Sequence, residues 1–131
     1  MAKYLLDTCT CISMFRNEGN VRNKLLEVGT KNCFVSEITI AELYFGVAKS
    51  ENKKRKLEDI QQVLKLFKVI PSYSSFMEYG EIRYKLEHKG QRVDQFDLLI
   101  GATAIHHKMT LVTSNIKHFE RMDGLEIENW K

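Results

Sequence analysis

Lys3-Tyr4-Leu5-Leu6-Asp7 is a short apolar run that ends in an acid, and four comparable runs follow at wide intervals, at 32–36, 68–71, 110–113 and 125–128. Each has the length and composition of a strand. The stretches between them are long enough for helices, and two carry helical periodicity. Leu57, Ile60, Leu64 and Phe67 recur behind the basic start Lys53-Lys54-Arg55-Lys56, and Asp97, Ile100, Gly101, Ala104 and Ile105 recur later. Strands separated by helices require crossover connections. The chain therefore reads as α/β, with a mainly parallel central sheet of about five strands and helices on both faces. Pro71 ends a strand, and Gly90-Gln91-Arg92 marks a loop between two helices.

The 131 residues are 44% apolar or aromatic and 28% charged, the composition of an ordinary globular protein, and a single domain, 1–131, is expected. A net charge of +3 is too small to announce a nucleic-acid partner by itself. The apolar run at the N-terminus is far shorter than a secretory signal, and no run is long enough to span a membrane, so a cytoplasmic protein without membrane association is expected. Cys9, Cys11 and Cys33 are odd in number and show no Cys-x-x-Cys spacing; they read as small core residues rather than as a disulfide framework or a zinc site. The seven glycines are scattered, which excludes a Walker A loop and a dinucleotide fingerprint. His88, His106, His107 and His118 read as helix-end or surface residues.

In a parallel sheet all strands end on one edge, and ligands bind beyond those carboxyl ends. Asp7 closes the first strand, Ser36 closes the second with Glu42 early in the helix after it, Asp97 starts a later helix, and Thr113-Ser114-Asn115 closes the strand that follows. Each acid also has a capping explanation: Asp7 as an N-cap, Thr39-Ile40-Ala41-Glu42 as a capping box, Asp94 with Asp97 as a cap and first-turn acid, and Asn115 as a turn residue. Glu42 and Asp97, however, border apolar helical rows, where a carboxylate costs several kcal/mol unless it is paired. Asp7, Glu42 and Asp97 have no Lys or Arg in their own motifs. A divalent cation resolves the repulsion, and oxygen donors select Mg²⁺, with Mn²⁺ as substitute. Such an ion activates water and offsets charge on a phosphodiester.

At these residues the chain resembles the PIN-domain ribonucleases, and among them the VapC-type toxins of bacterial toxin and antitoxin pairs. The resemblance is carried by Tyr4-Leu5-Leu6-Asp7-Thr8, by Ala41-Glu42-Leu43, by Phe96-Asp97-Leu98-Leu99-Ile100 with Ala102-Thr103-Ala104, and by Leu111-Val112-Thr113-Ser114-Asn115 followed by His118-Phe119 and the tail from Gly124 to Trp130. It implies a PIN-like three-layer α/β/α fold and an endoribonuclease that needs Mg²⁺. It also implies a homodimer and a cognate antitoxin. By the same resemblance Asp7 and Asp97 hold the metal, Glu42 completes the acidic set, Asn115 takes a fourth position that is acidic in some members, and Thr113 orients water or a ligand. Two positions depart from the family pattern. Cys9 stands where an Asn is usual, which withdraws an amide from the support of Asp7, and Asp94 stands where glycine is frequent.

A different class of function is a catalytically weak or inactive module that mainly binds a protein partner. Phe15, Tyr44, Phe45, Phe67, Tyr73, Phe76 and Tyr79 form a large aromatic set, with core packing the expected use of most. With the acids gathered in one place the remainder of the surface becomes basic, and Lys53 to Lys56, Lys89 and Arg92 are candidates for phosphate contacts.

Overall fold

The computed structural model describes residues 2–131. Five strands, β1 (Tyr4–Leu6), β2 (Cys33–Ser36), β3 (Lys68–Ile70), β4 (Thr110–Val112) and β5 (Ile127–Glu128), form one sheet in the order β3-β2-β1-β4-β5. Every pair is parallel, with Tyr4 opposite both Cys33 and Thr110. The strands lie within the five expected runs. They are shorter, because the polar or acidic residue that ends several runs already belongs to the next cap or turn.

Helices α1 (Thr8–Phe15), α2 (Val21–Val28), α3 (Glu37–Ala48) and α4 (Lys53–Leu66) cover one face of the sheet, and α5 (Phe76–His88), α6 (Gln95–His106) and the single turn α7 (Ile116–Phe119) cover the other. The period of two along a strand makes this possible: Leu6 and Val112 enter the first core, while their neighbours Leu5 and Leu111 enter the second. The expected layered α/β/α architecture is the one observed, and its sheet is wholly parallel. Trp130 closes the chain against the first core, with its ring 5.2 Å from that of Tyr4.

Two expectations about packing are corrected. On α4 the buried row is Ile60 and Val63, continued by Phe67 just past the helix, whereas Leu57 and Leu64 are exposed. The real row runs at i, i+3 and i+7 and is narrower than the sequence stripe. Of the seven aromatic residues, Tyr44, Phe45, Tyr73 and Phe76 are exposed, and only Phe67 is fully buried. Core packing does not account for most of that set.

Candidate active site

Asp7 lies at the carboxyl end of β1, between β2 and β4. Its backbone N–H continues the ladder to the Val112 carbonyl at 2.9 Å, and its side chain then caps α1 by accepting from the Thr8 N–H at 2.8 Å. The residue is 3% exposed. Burial pushes its carboxyl above the usual aspartate range, opposed by the bonds it accepts. The strongest of these comes from the Thr113 hydroxyl, which donates to Asp7 Oδ2 at 2.8 Å across 106 residues of chain. Thr113 is itself buried, and its oxygen accepts from the Asn115 N–H at 3.0 Å. Its hydroxyl is thereby committed to aiming Asp7.

Ser36 ends β2 and caps α3 by accepting from the Ile38 N–H at 3.0 Å. Because α3 begins at Glu37, both Thr39 and Glu42 are inside the helix, so the capping box is not formed. Glu42 instead accepts from the Thr8 hydroxyl at 2.6 Å, and the same hydroxyl lies 3.3 Å from that of Thr39. Thr8 therefore links two acids, giving its backbone proton to Asp7 and its side-chain proton to Glu42. Burial raises the Glu42 carboxyl above its ordinary value, and the charges of Asp7, Asp97 and Asp94 raise it further.

Asp94 caps α6 by accepting from the Phe96 and Asp97 N–H groups at 2.9 and 3.3 Å. That cap leaves Asp97, one turn in, available for the site. Its side chain is 16% exposed and bonds through Oδ2 to His118 Nδ1 at 3.0 Å. Its carboxyl is raised by burial and by the charges of Asp7 and Asp94, and lowered by the His118 bond. Among the described residues, no Lys or Arg pairs with Asp7, Glu42, Asp94 or Asp97.

Asp7, Glu42 and Asp97 thus lie within electrostatic reach of one another, partly desolvated and without a basic partner other than His118. A set of hard oxygen donors in that condition suits a divalent cation. Among the described residues no group of three or more His, Cys, Asp or Glu side chains is placed so as to hold a metal ion without rearrangement. Asn115 stands at the start of α7, where its side chain makes no capping bond.

Two residues at the site have no such role in the sequence reading: His118 reads as a helix-end or surface residue, and Thr8 is not singled out. Cys9 reads both as a small core residue and as the position whose missing amide bears on Asp7. Cys11 and Cys33 are indeed core residues, but Cys9 is half-buried and its thiol lies 3.5 Å from Asp7 Oδ2 and 3.4 Å from the Thr113 hydroxyl, while accepting from the Ser114 N–H at 3.4 Å. These sulfur contacts are weak. The strong support that an amide would provide to Asp7 comes here from Thr113. Among the basic candidates, Lys53 donates to the Val47 and Ala48 carbonyls that end α3, and Arg55 pairs with Asp59.

Residues 4–125 match the PIN domain family. The chain is 38% identical over 130 residues to the protein named ribonuclease VapC2 of Rickettsia felis, covering 97% of each chain. It is 31% identical over 131 residues to the tRNA(fMet)-specific endonuclease VapC of Salmonella typhimurium, covering 99% of each. In the crystal structure of DNA-bound VapBC from Salmonella typhimurium, one chain superposes with a TM-score of 0.91 at 31% identity over the whole of both chains. A chain of Rickettsia felis VapBC2 bound to a promoter DNA fragment gives 0.87 at 37% identity, covering 98% of each.

Proposed function

The chain belongs to the PIN-domain family and to its VapC branch, and on that premise we propose that it is a Mg²⁺-dependent endoribonuclease, the toxin of a toxin and antitoxin pair. The observation that carries this reading is the convergence of Asp7, Glu42 and Asp97, three partly desolvated carboxylates that repel one another and have no Lys or Arg partner. Those three residues would hold the cation, with Mn²⁺ as a substitute for Mg²⁺. A bound divalent cation lowers the pKa of water for attack and offsets charge on the phosphodiester and its leaving oxygen.

The remaining work belongs to the chain. Thr113 fixes one oxygen of Asp7, Thr8 ties Asp7 to Glu42, and His118 holds one oxygen of Asp97, so the carboxylates are aimed before substrate arrives. Asn115, at the fourth position, follows Thr113 and binds its hydroxyl through the backbone N–H. It adds no negative charge for an incoming phosphate to meet.

Partner surfaces support the toxin reading. Exposed Tyr44 and Phe45 on α3, with Tyr73, Phe76, Met77 and Tyr84 on and beside α5, supply apolar area for a homodimer. A separate groove of about 500 Å³ runs between α1, α2 and α4, with Phe15, Leu26 and Leu66 in its walls and Arg22 and Arg55 at hand, and suits an apolar segment of an antitoxin. That the VapBC neighbours are complexes supports such a partner.

The test is RNA cleavage by the purified protein freed of any partner. Cleavage is expected with Mg²⁺ or Mn²⁺ and lost in EDTA. Asp97→Asn is expected to abolish it and to remove Mn²⁺ binding in calorimetry, with the thermal transition retained. Undiminished cleavage by Asp97→Asn overturns the assignment.

A further inference from the structure

Where α6 begins, at the residues that flank Asp97, the C-terminal half of α5, the loop at 89–94 and the first turn of α6 line a cleft of about 830 Å³. That volume lies in the range of small-molecule sites, roughly 300 to 1,000 Å³. Its apolar walls are Leu86, Val93 and Leu98, and its rim includes Asp94, whose carboxylate raises those of Asp97 and Glu42. Asp94 also accepts from the Asp97 N–H at 3.3 Å, so the cleft adjoins the first turn of α6, which carries Asp97.

Its polar groups are organised. Arg83 is held by Glu87 at 2.7 Å and donates to the Tyr79 hydroxyl at 2.9 Å; Tyr79 in turn donates to Gln95 Oε1 at 3.0 Å. The chain of bonds engages the Gln95 carbonyl, while its NH₂ group has no hydrogen-bond partner among the described residues. Asp94 spends its charge on the α6 cap, and Glu87 neutralises Arg83. Arg92 is exposed and has no ion-pair partner among the described residues. A largely polar cleft with three aliphatic side chains in its walls, an amide with its NH₂ free and one uncommitted guanidinium match a nucleotide: base against the aliphatic walls, base edge on the amide, phosphate on the cation.

We propose that the α5–α6 cleft binds one nucleotide of the RNA strand next to the bond that is cut, with Gln95 selecting a base edge that carries acceptors and Arg92 holding its phosphate. Tyr79 is a positioning residue that fixes the orientation of the Gln95 amide. The proposal rests on the ribonuclease reading of the adjoining acids.

The experiment uses the full chain with Mg²⁺ and a pool of random-sequence single-stranded RNA oligonucleotides, with the cleaved ends sequenced. Gln95→Ala is expected to flatten base preference at one position flanking the cut and to raise KM by about tenfold, with most of the loss in kcat/KM falling on KM. Arg92→Ala is expected to raise KM similarly for all sequences while the preference persists. Tyr79→Phe is expected to shift preference in the direction of Gln95→Ala, by less. Arg92 and Gln95 are exposed, and Tyr79→Phe keeps the ring that packs against the second core, so the variants fold. If Gln95→Ala and Arg92→Ala retain both the preference profile and KM, the subsite is refuted while the ribonuclease reading stands. Weakened antitoxin binding in the same variants, with RNA kinetics unchanged, refutes it in favour of a protein ligand. If the unmodified protein shows no metal-dependent cleavage, the ribonuclease reading fails and the subsite with it.

Discussion

Thr113→Val removes a single oxygen from the centre of the site, and its effect can be worked out from the bonds that oxygen makes. The hydroxyl donates to Asp7 Oδ2 at 2.8 Å, where both residues are buried, and accepts from the exposed Asn115, whose N–H can turn to water. The loss is therefore chiefly one bond to a buried carboxylate, about 2 kcal/mol. With an unfolding entropy of about 0.28 kcal/mol/K for 131 residues, Tm falls by about 7 °C. The effect depends on pH, and its sign follows from Asp7. Burial already raises that carboxyl above 3.8, and removing the Thr113 bond raises it further. A raised acid binds more protons in the folded state than in the unfolded state, so its penalty is absent below the unfolded pKa and accumulates as pH rises. Thermal melts in EDTA should therefore show the full gap between variant and wild type near neutral pH, closing as pH falls toward 3.8. Mg²⁺ should narrow the gap at neutral pH by giving Asp7 another partner, and kcat should fall at least about tenfold through loss of alignment. A gap below about 2 °C, or one equal at both pH values, would refute the assignment of Thr113 to Asp7.

Glu42→Gln tests the acid on α3. Since Glu42 is inside the helix and not at its cap, the change is expected to lower cleavage at least about tenfold while Tm in EDTA holds or rises, because a like charge has been removed; retained activity in the RNA assay would return Glu42 to a structural role. Cys9→Ala removes only long sulfur contacts, so a melt within about 1 kcal/mol of wild type and cleavage within a few-fold are expected; a larger loss in either would transfer the support of Asp7 from Thr113 to the thiol.

The five strands were legible because each is a compact apolar run between helical stretches, and in an all-parallel sheet burial on both faces favours continuous runs. The convergence of Asp7, Glu42 and Asp97 followed from the same reading, since parallel strands put their carboxyl ends on one edge. What local pattern left unread was pairing across the chain. His118 reaches Asp97 over 21 residues and Thr8 reaches Glu42 over 34, and neither partner carries a local signal of the other. Capping was legible at Asp94, where side chain and backbone are neighbours, and misleading at Glu42, where Ser36 starts the helix three residues before Thr39. On α4 the periodicity was real but its buried phase was set by the neighbouring helices, which leaves Leu57 and Leu64 outside.

The bond from Thr113 to Asp7 also has a temporal meaning. Synthesis runs from the N-terminus, so Asp7 and Glu42 leave the ribosome before Asp97, Thr113 and His118. β1 is the first strand made and the middle strand of the sheet, and its partner β4 is nearly the last. A nascent chain therefore carries its acids before the β4 side of their edge exists, and the closing contact spans 106 residues, a loop whose closure is entropically costly. Until β4 and α7 have been made, Asp7 lacks the hydroxyl that aims it and Asp97 lacks the imidazole that holds it.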